Sequence, residues 1–232
     1  MRILALDTST EYCSVALWHD GEIRSRCELV GQKHSEMLMP MLDELLQEAC
    51  VKVTQCDGIA FGMGPGSFTG VRIACGVTQG LALGADLPVA GICTLEALAE
   101  GSGKAKVIAA LDARMGEVYH AVYEKNADGW AAVCEPSLYK PEAVPVIEGD
   151  DWFGTGSGFA AHGEVLQERY ARRLLGVNGA AIPQAASIVV LGATKFAQNK
   201  GVDAALALPL YLRDKVALKT SERQNQSGHE KK

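Results

Sequence analysis

Residues 2–7 form a short apolar block that ends at Asp7, and two strand-length segments follow, Cys13–Trp18 and Glu22–Leu29, joined by the hairpin turn Asp20-Gly21. The pattern predicts a meander. A second apolar block starts at Val107 and ends at Asp112. After the turn Ala113-Arg114-Met115-Gly116, Glu117–Tyr123 alternates as a returning strand. Between these strand units the apolar spacing changes to that of helices. Met37, Leu38, Met41, Leu42, Leu45, Leu46 and Ala49 recur at four-residue steps in two adjacent rows, which predicts an amphipathic helix opening at His34-Ser35. With Ser35 as cap, Pro40 lies beyond the first turn, so the helix either kinks there or starts later. A second helix is predicted over about Thr69–Leu83, with Ile73, Val77 and Leu81 in one row and Gly76, Gly80 and Gly84 in another. Each interior glycine costs about 1 kcal/mol against alanine, so the glycine row calls for close approach of another element. A third helix is predicted over Ala185–Asn199, and from Asp214 the chain turns polar and lacks aromatics, which reads as a disordered tail.

The two strand units are alike: Leu4-Ala5-Leu6-Asp7 with Ser14-Val15-Ala16-Leu17, against Ala110-Leu111-Asp112 with Val118–Tyr123. Each is followed, after a later strand, by a glycine cluster, Phe61-Gly62-Met63-Gly64-Pro65-Gly66 in the first and Phe153-Gly154-Thr155-Gly156-Ser157-Gly158 in the second. Such self-similarity indicates a duplicated unit. The layout resembles the actin, Hsp70 and sugar-kinase superfamily. The predicted fold is therefore α/β: duplicated actin-like domains of the ribonuclease H-like kind, with mixed β-sheets flanked by helices. Domain I is expected over 1–102, a smaller domain II over 103–214 with its last helix folding back on domain I, and a polar tail over 215–232.

At 48% hydrophobic and 22% charged residues, the chain suits one large or two small globular domains. The first strand meets a carboxylate after too few apolar residues for a secretory leader. No apolar run approaches the roughly 20 residues of a membrane span, so a cytoplasmic, membrane-free protein is expected. Seven cysteines form no Cys-x-x-Cys pair and read as reduced core thiols. The formal charge of −6 argues against a chain that grips nucleic acid by itself.

Specific motifs narrow the class. Asp7-Thr8-Ser9, His34-Ser35-Glu36 with Pro40, Gly62-x-Gly64-Pro65-Gly66-Ser67-Phe68-Thr69-Gly70-Val71-Arg72, Asp112-Ala113-Arg114 with Glu117-Val118-Tyr119, and Pro209-x-Tyr211-Leu212-Arg213 together resemble the TsaB family, also called YeaZ. The resemblance spans nearly the whole chain. It implies an actin-like fold and a part in making N6-threonylcarbamoyladenosine 3′ to the anticodon, in tRNAs reading codons that start with A. It further implies a non-catalytic scaffold that forms a heterodimer with TsaD, the paralogue carrying the transferase site, and a ternary complex with TsaE. Without TsaD a homodimer is implied, and tRNA is reached only through the complex. The contact surface implied is that of the first-domain helices: Met37, Leu38, Met41, Leu42 and Leu45 on one, Ile73, Gly76, Val77 and Gly80 on the other. TsaD is expected to hold a metal through His-x-x-x-His; here the corresponding positions are Thr94 and Leu98, which are poor ligands, so no metal and no cofactor are expected.

Asp7, Thr8, Ser9, Gly64, Gly66, Ser67, Asp112, Gly154 and Gly156 are the residues expected in nucleotide or phosphate loops that are vestigial in this reading. The competing reading is an independent ATP-dependent kinase or ATPase of the same fold, although neither Walker A nor a kinase motif set is present. A third is a self-sufficient homodimeric binding module. A peptidase would need Ser67 or Cys93 beside an oriented histidine, His34 or His120, and is the weakest reading. Arg72 and Arg114 either face a phosphate or partner carboxylate, or are solvated or tie their own loops.

Overall fold

In the computed structural model, which describes residues 1–213, the alternation of the first strand sorts its side chains onto two different helical layers. Strand β1 (Arg2–Asp7) sends Leu4 and Leu6 to one face of its sheet and Ile3 and Ala5 to the other. β2 (Tyr12–His19) and β3 (Glu22–Leu29) continue the antiparallel meander, while β4 (Gly58–Gly64) and β5 (Val89–Cys93) add on the far side of β1 in parallel. The order is β3-β2-β1-β4-β5. The second sheet repeats it with β6 (Lys106–Arg114), β7 (Glu117–Asn126), β8 (Gly129–Tyr139), β9 (Trp152–Thr155) and β10 (Leu174–Asn178), in the order β8-β7-β6-β9-β10 with the same strand directions. The fold is thus a duplicated actin-like α/β fold with two mixed sheets.

Helices α1 (His34–Glu48) and α2 (Phe68–Ala85) cover the Leu4/Leu6 face of the first sheet. Its other face is lined by small residues, Ala5, Ala16 and Ala60, and is covered by α6 (Ala185–Ala197), the last α-helix among the described residues. Gly192 of α6 lies where any Cβ would collide with Ala60, so the glycine sets how closely the helix seats. α3 (Thr94–Gly101) joins the two halves: Ala97 packs with α6, whereas Leu95, Leu98 and Ala99 pack on Val107, Ala109 and Leu111 of the second sheet. The opposite face of that sheet is closed by α4 (Ser157–Ala161) and α5 (Gly163–Tyr170), which bury Phe159, Leu166 and Tyr170.

Several expectations change. α1 starts at His34 with Lys33 at the cap position and no side-chain cap bond, so Ser35 lies inside the first turn and caps nothing. The helix is continuous through Pro40, which sits on its exposed side. Leu38, Met41, Leu42 and Leu45 are at most 2% exposed and form part of the chain's own core, which corrects their assignment to a partner surface. Their apolar row seats α1 on β2, while Met37 of the same helix stays half-buried and Met39 exposed. Gly62, Gly64 and Gly154 belong to strands β4 and β9 rather than to loops after them. Of the cysteines, Cys27 and Cys50 are exposed, and all seven are unbridged. The tail expected over 215–232 lies outside the described residues. Among the described residues no helix is long and apolar enough to cross a membrane.

Because Leu42 is buried within a single chain, Leu42→Ala should cost about 3 kcal/mol of stability. Urea unfolding should show this loss whether or not any partner is present.

Candidate functional site

The first loop is built by short polar side chains turned inward. Asp7 ends β1 at 1% exposure, and its Oδ1 accepts from the Ser9 amide at 3.1 Å and the Ser9 hydroxyl at 2.9 Å. The Thr8 hydroxyl donates to the Gly70 carbonyl at 2.7 Å, and the Ser67 amide donates to the Ser9 carbonyl at 2.7 Å. The loop is thereby stitched to the first turn of α2, whose Ser67 cap accepts from the Gly70 amide. The glycines make this possible, because a Cβ at Gly70 would strike the Thr8 carbonyl and one at Gly66 the backbone of Ser9. Asp7 Oδ2 has no partner and lies against Gly62, where no side chain would fit. Burial pushes the Asp7 carboxyl up to about 6, against the lowering effect of the two Ser9 bonds.

The equivalent aspartate of the second half is disposed otherwise. The Asp112 side chain is 18% exposed; its Oδ1 accepts from the Arg114 amide at 2.9 Å, and the Arg114 guanidinium lies 3.1 Å from Oδ2. The Ser157 hydroxyl accepts from the Asp112 amide at 3.1 Å, and His162 Nε2 stands 3.7 Å from Oδ1. Arg114, Met115 and Gly116 follow one another at φ 62°, 56° and 71°, a left-handed run that turns β6 back into β7.

Between the two loops lies a cleft of about 1060 Å³. It is lined on one side by Ser9, Thr10 and Pro65–Val71, on the other by Asp112–Met115 and Ser157, and along a third by Leu210–Arg213. Of the residues expected in phosphate loops, Ser9, Gly66, Ser67 and Asp112 reach this cleft. Asp7, Thr8, Gly64, Gly154 and Gly156 do not: Asp7 and Thr8 are buried beneath the loop, Gly154 lies under the Phe159 ring, and Gly156 meets the Ala110 carbonyl.

The peptidase pairings do not assemble. The His34 ring faces the Tyr12 carbonyl at 3.2 Å, and His120 Nε2 faces the Tyr170 hydroxyl at 2.8 Å. Burial lowers His120 to about 4 and raises the Cys93 thiol, which accepts from the Tyr123 hydroxyl. At the positions aligned with the transferase's ligands, the Thr94 hydroxyl donates to the Pro65 carbonyl at 2.5 Å and Leu98 is buried. Arg72 is exposed, in keeping with the solvated alternative; its guanidinium stacks 3.6 Å from the centre of the Phe68 ring and its Nε donates to the Tyr211 hydroxyl at 2.7 Å.

Outside the cleft, α2 presents a second feature. Gly76, Gly80 and Gly84 are all exposed, and the space beside each, where a Cβ would stand, is open to 4 Å. Ile73 and Val77 flank them half-buried, as Met37 does on α1.

Two actin-like halves closing on a cleft, with one loop sealed inward, define a protein of the actin-like class. A family model described as TsaD: tRNA N6-adenosine threonylcarbamoyltransferase matches residues 27–220. The chain is 40% identical over 228 residues to the tRNA threonylcarbamoyladenosine biosynthesis protein TsaB of Escherichia coli K12, a match covering 94% of this chain and 97% of that one. It is 38% identical to TsaB of Haemophilus influenzae, covering 94% and 96%. The solved structure of YeaZ from Pseudomonas aeruginosa superposes with a TM-score of 0.84 at 41% identity, over 91% of this chain and 99% of that one. Another structure from that organism, described as an uncharacterized protein with similarity to peptidase YeaZ, superposes at 0.85 with the same identity and coverage. The chain belongs to the TsaB family and has its role in tRNA threonylcarbamoyladenosine biosynthesis.

The folded pKa of Asp7 lies above its unfolded value. Its contribution to stability is therefore fully present below about pH 3.8 and is lost as pH rises through about 6. Asp7→Asn should show this as a stability relative to wild type that increases by about 2–3 kcal/mol between pH 4 and 7.5. The penalty for protonating His120, which grows as pH falls from 6.5 toward 4, is common to both proteins and cancels in the difference. Urea unfolding at several pH values measures it.

Proposed function

We propose that this chain is a non-catalytic scaffold subunit for N6-threonylcarbamoyladenosine synthesis, pairing with TsaD through the outer face of α2. The observation that carries the pairing is the exposed row Gly76, Gly80, Gly84. An interior helical glycine costs about 1 kcal/mol against alanine, and among the described residues nothing near these positions requires the smaller residue. A partner helix approaching closely supplies the reason. Ile73, Val77 and Met37 then offer apolar edges to that contact, and a homodimer through the same face is the state adopted without TsaD. The ATPase TsaE joins this pair as a ternary complex.

The non-catalytic part of the reading rests on residue chemistry. Thr94 and Leu98 stand where the resemblance puts the transferase's metal-binding histidines, and their side chains are committed to the Pro65 carbonyl and to the core. The formal charge of −6 fits a subunit that meets tRNA only within the complex, in the cytoplasm.

Gly76→Ala and Gly80→Ala should each stabilise the isolated chain, by up to about 1 kcal/mol, while weakening its complex with TsaD. Gly76→Arg with Gly80→Arg should abolish the complex in size-exclusion chromatography with light scattering and leave thermal unfolding near that of wild type. A double arginine variant that still forms a one-to-one complex with TsaD sinks the pairing face. Threonylcarbamoyl transfer to tRNA by the isolated chain sinks the scaffold reading.

One observation favours the ATPase alternative, namely the size of the cleft and the exposure of Asp112 on its wall. In that case magnesium-dependent ATP hydrolysis by the purified chain would be lost on Asp112→Ala. Under the scaffold reading no turnover is detected in either protein.

A further inference from the structure

The end of the described chain follows a course that neither the duplicated fold nor pairing explains. After α6, Val202 makes a two-way backbone bridge with Val89 on the edge of the first sheet. Ala204 and Ala207 are then buried beneath α2. The Ala207 carbonyl accepts from Cys75 Sγ and from Gln79 Nε2, each at 3.0 Å, which fixes the chain along α2. The Leu210 amide donates to the Met63 carbonyl of β4 at 2.7 Å, and the Tyr211 hydroxyl accepts from Arg72. All these partners belong to the first half.

At Arg213 the chain changes sides. Its Nη2 donates to Glu117 Oε2 at the start of β7 at 2.6 Å, and its Nη1 approaches Met115 Sδ at 3.8 Å. The two charged side chains are 18% and 27% exposed, so this ion pair is better shielded than most at a surface. Leu210 also packs against the apolar layer of the second sheet, as Met63 and Tyr119 do. Two cavities meet at this segment, the cleft of about 1060 Å³ and a smaller one of about 510 Å³ walled by Cys93, Tyr123 and Trp130. Leu210 and Leu212 line both.

We propose that residues 207–213 are a strap that fixes the opening between the two halves, an internal element in the bridging place that a bound ligand would otherwise have to fill. Most of its first-half anchors are bonds to backbone groups, at Met63 and from Cys75 and Gln79 to the Ala207 carbonyl. The Arg213–Glu117 pair is the latch, because among the described residues it is the ion pair that this segment makes across the cleft, between charged side chains that water can replace. The strap also divides the cleft from the smaller cavity, so release of the latch joins them. The inference rests on this geometry and does not depend on the pairing with TsaD.

Hydrogen–deuterium exchange on the full chain tests it with wild type, Arg213→Glu, Glu117→Arg and the double exchange. Each single variant should speed exchange about three- to ten-fold, as local opening of an ion pair of this exposure allows, both in 207–213 and in 113–119. β1 and α6 should exchange as in wild type, and the double variant should restore both segments. Faster exchange confined to 207–213, with 113–119 unmoved, overturns the proposal, as does a double variant that behaves like the singles. If a charge reversal prevents folding, Arg213→Gln carries the same comparison, and wild-type exchange at both segments in that variant overturns the proposal equally.

Discussion

The constraint on which the cleft rests is a contact of one backbone with another, in which the Thr8 and Ser9 carbonyls occupy the space where side chains at Gly70 and Gly66 would stand. Everything around the cleft depends on it. Glycine at these two positions lets the loop after β1 lie on the first turn of α2, and two hydrogen bonds, from the Thr8 hydroxyl and the Ser67 amide, hold it there. That contact positions α2, and α2 carries both the wall of the cleft and the exposed glycine row. The same contact explains why the most specific motif of the chain is rich in glycine without a phosphate having to be present: the space left by the missing side chains is already filled by the protein's own main chain.

The two halves share a strand order but have diverged in what they do with the aspartate that ends their first strand. Asp7 is sealed and holds only Ser9, whereas Asp112 is open to the cleft and neutralised by Arg114. Burial makes the first a group whose ionisation opposes folding near neutral pH. Of the two aspartates, one is thus withdrawn beneath its loop and the other lines the cleft.

Much of this was legible in the sequence, for physical reasons that also mark where it stopped being so. The meander and the repeated Asp-ended strand could be read because period-two alternation and a short turn leave a local signature. The row of Leu38, Met41, Leu42 and Leu45 was equally clear, but periodicity reports only that a face is buried and not against what; here it is the chain's own sheet. The glycine row of α2 is exposed instead, and local spacing could not separate the two cases. Gly62 and Gly154 read as loop residues because the groups that exclude a side chain there are apart from them, Asp7 on another strand and Phe159 in the next helix. β10 and α5 are short and only partly buried, so they left no period to detect. The Pro209-x-Tyr211-Leu212-Arg213 motif was visible, but its contacts lie up to 139 positions away in sequence.

The seating of α6 on the first sheet has a consequence for how the protein is made. The first half leaves the ribosome with Ile3, Ala5, Ala16, Ala60 and Ile92 uncovered on one face, and their cover, residues 185–197, is synthesised only after the whole second sheet. At roughly 5–20 residues per second, the nascent chain presents that apolar face for several seconds to tens of seconds. Its smallness is then an advantage, since alanines expose little area for a chaperone or another nascent chain to grip. The core of the first half is therefore complete only once residues 185–197 have been made, and a chain terminated before residue 185 lacks one of its walls.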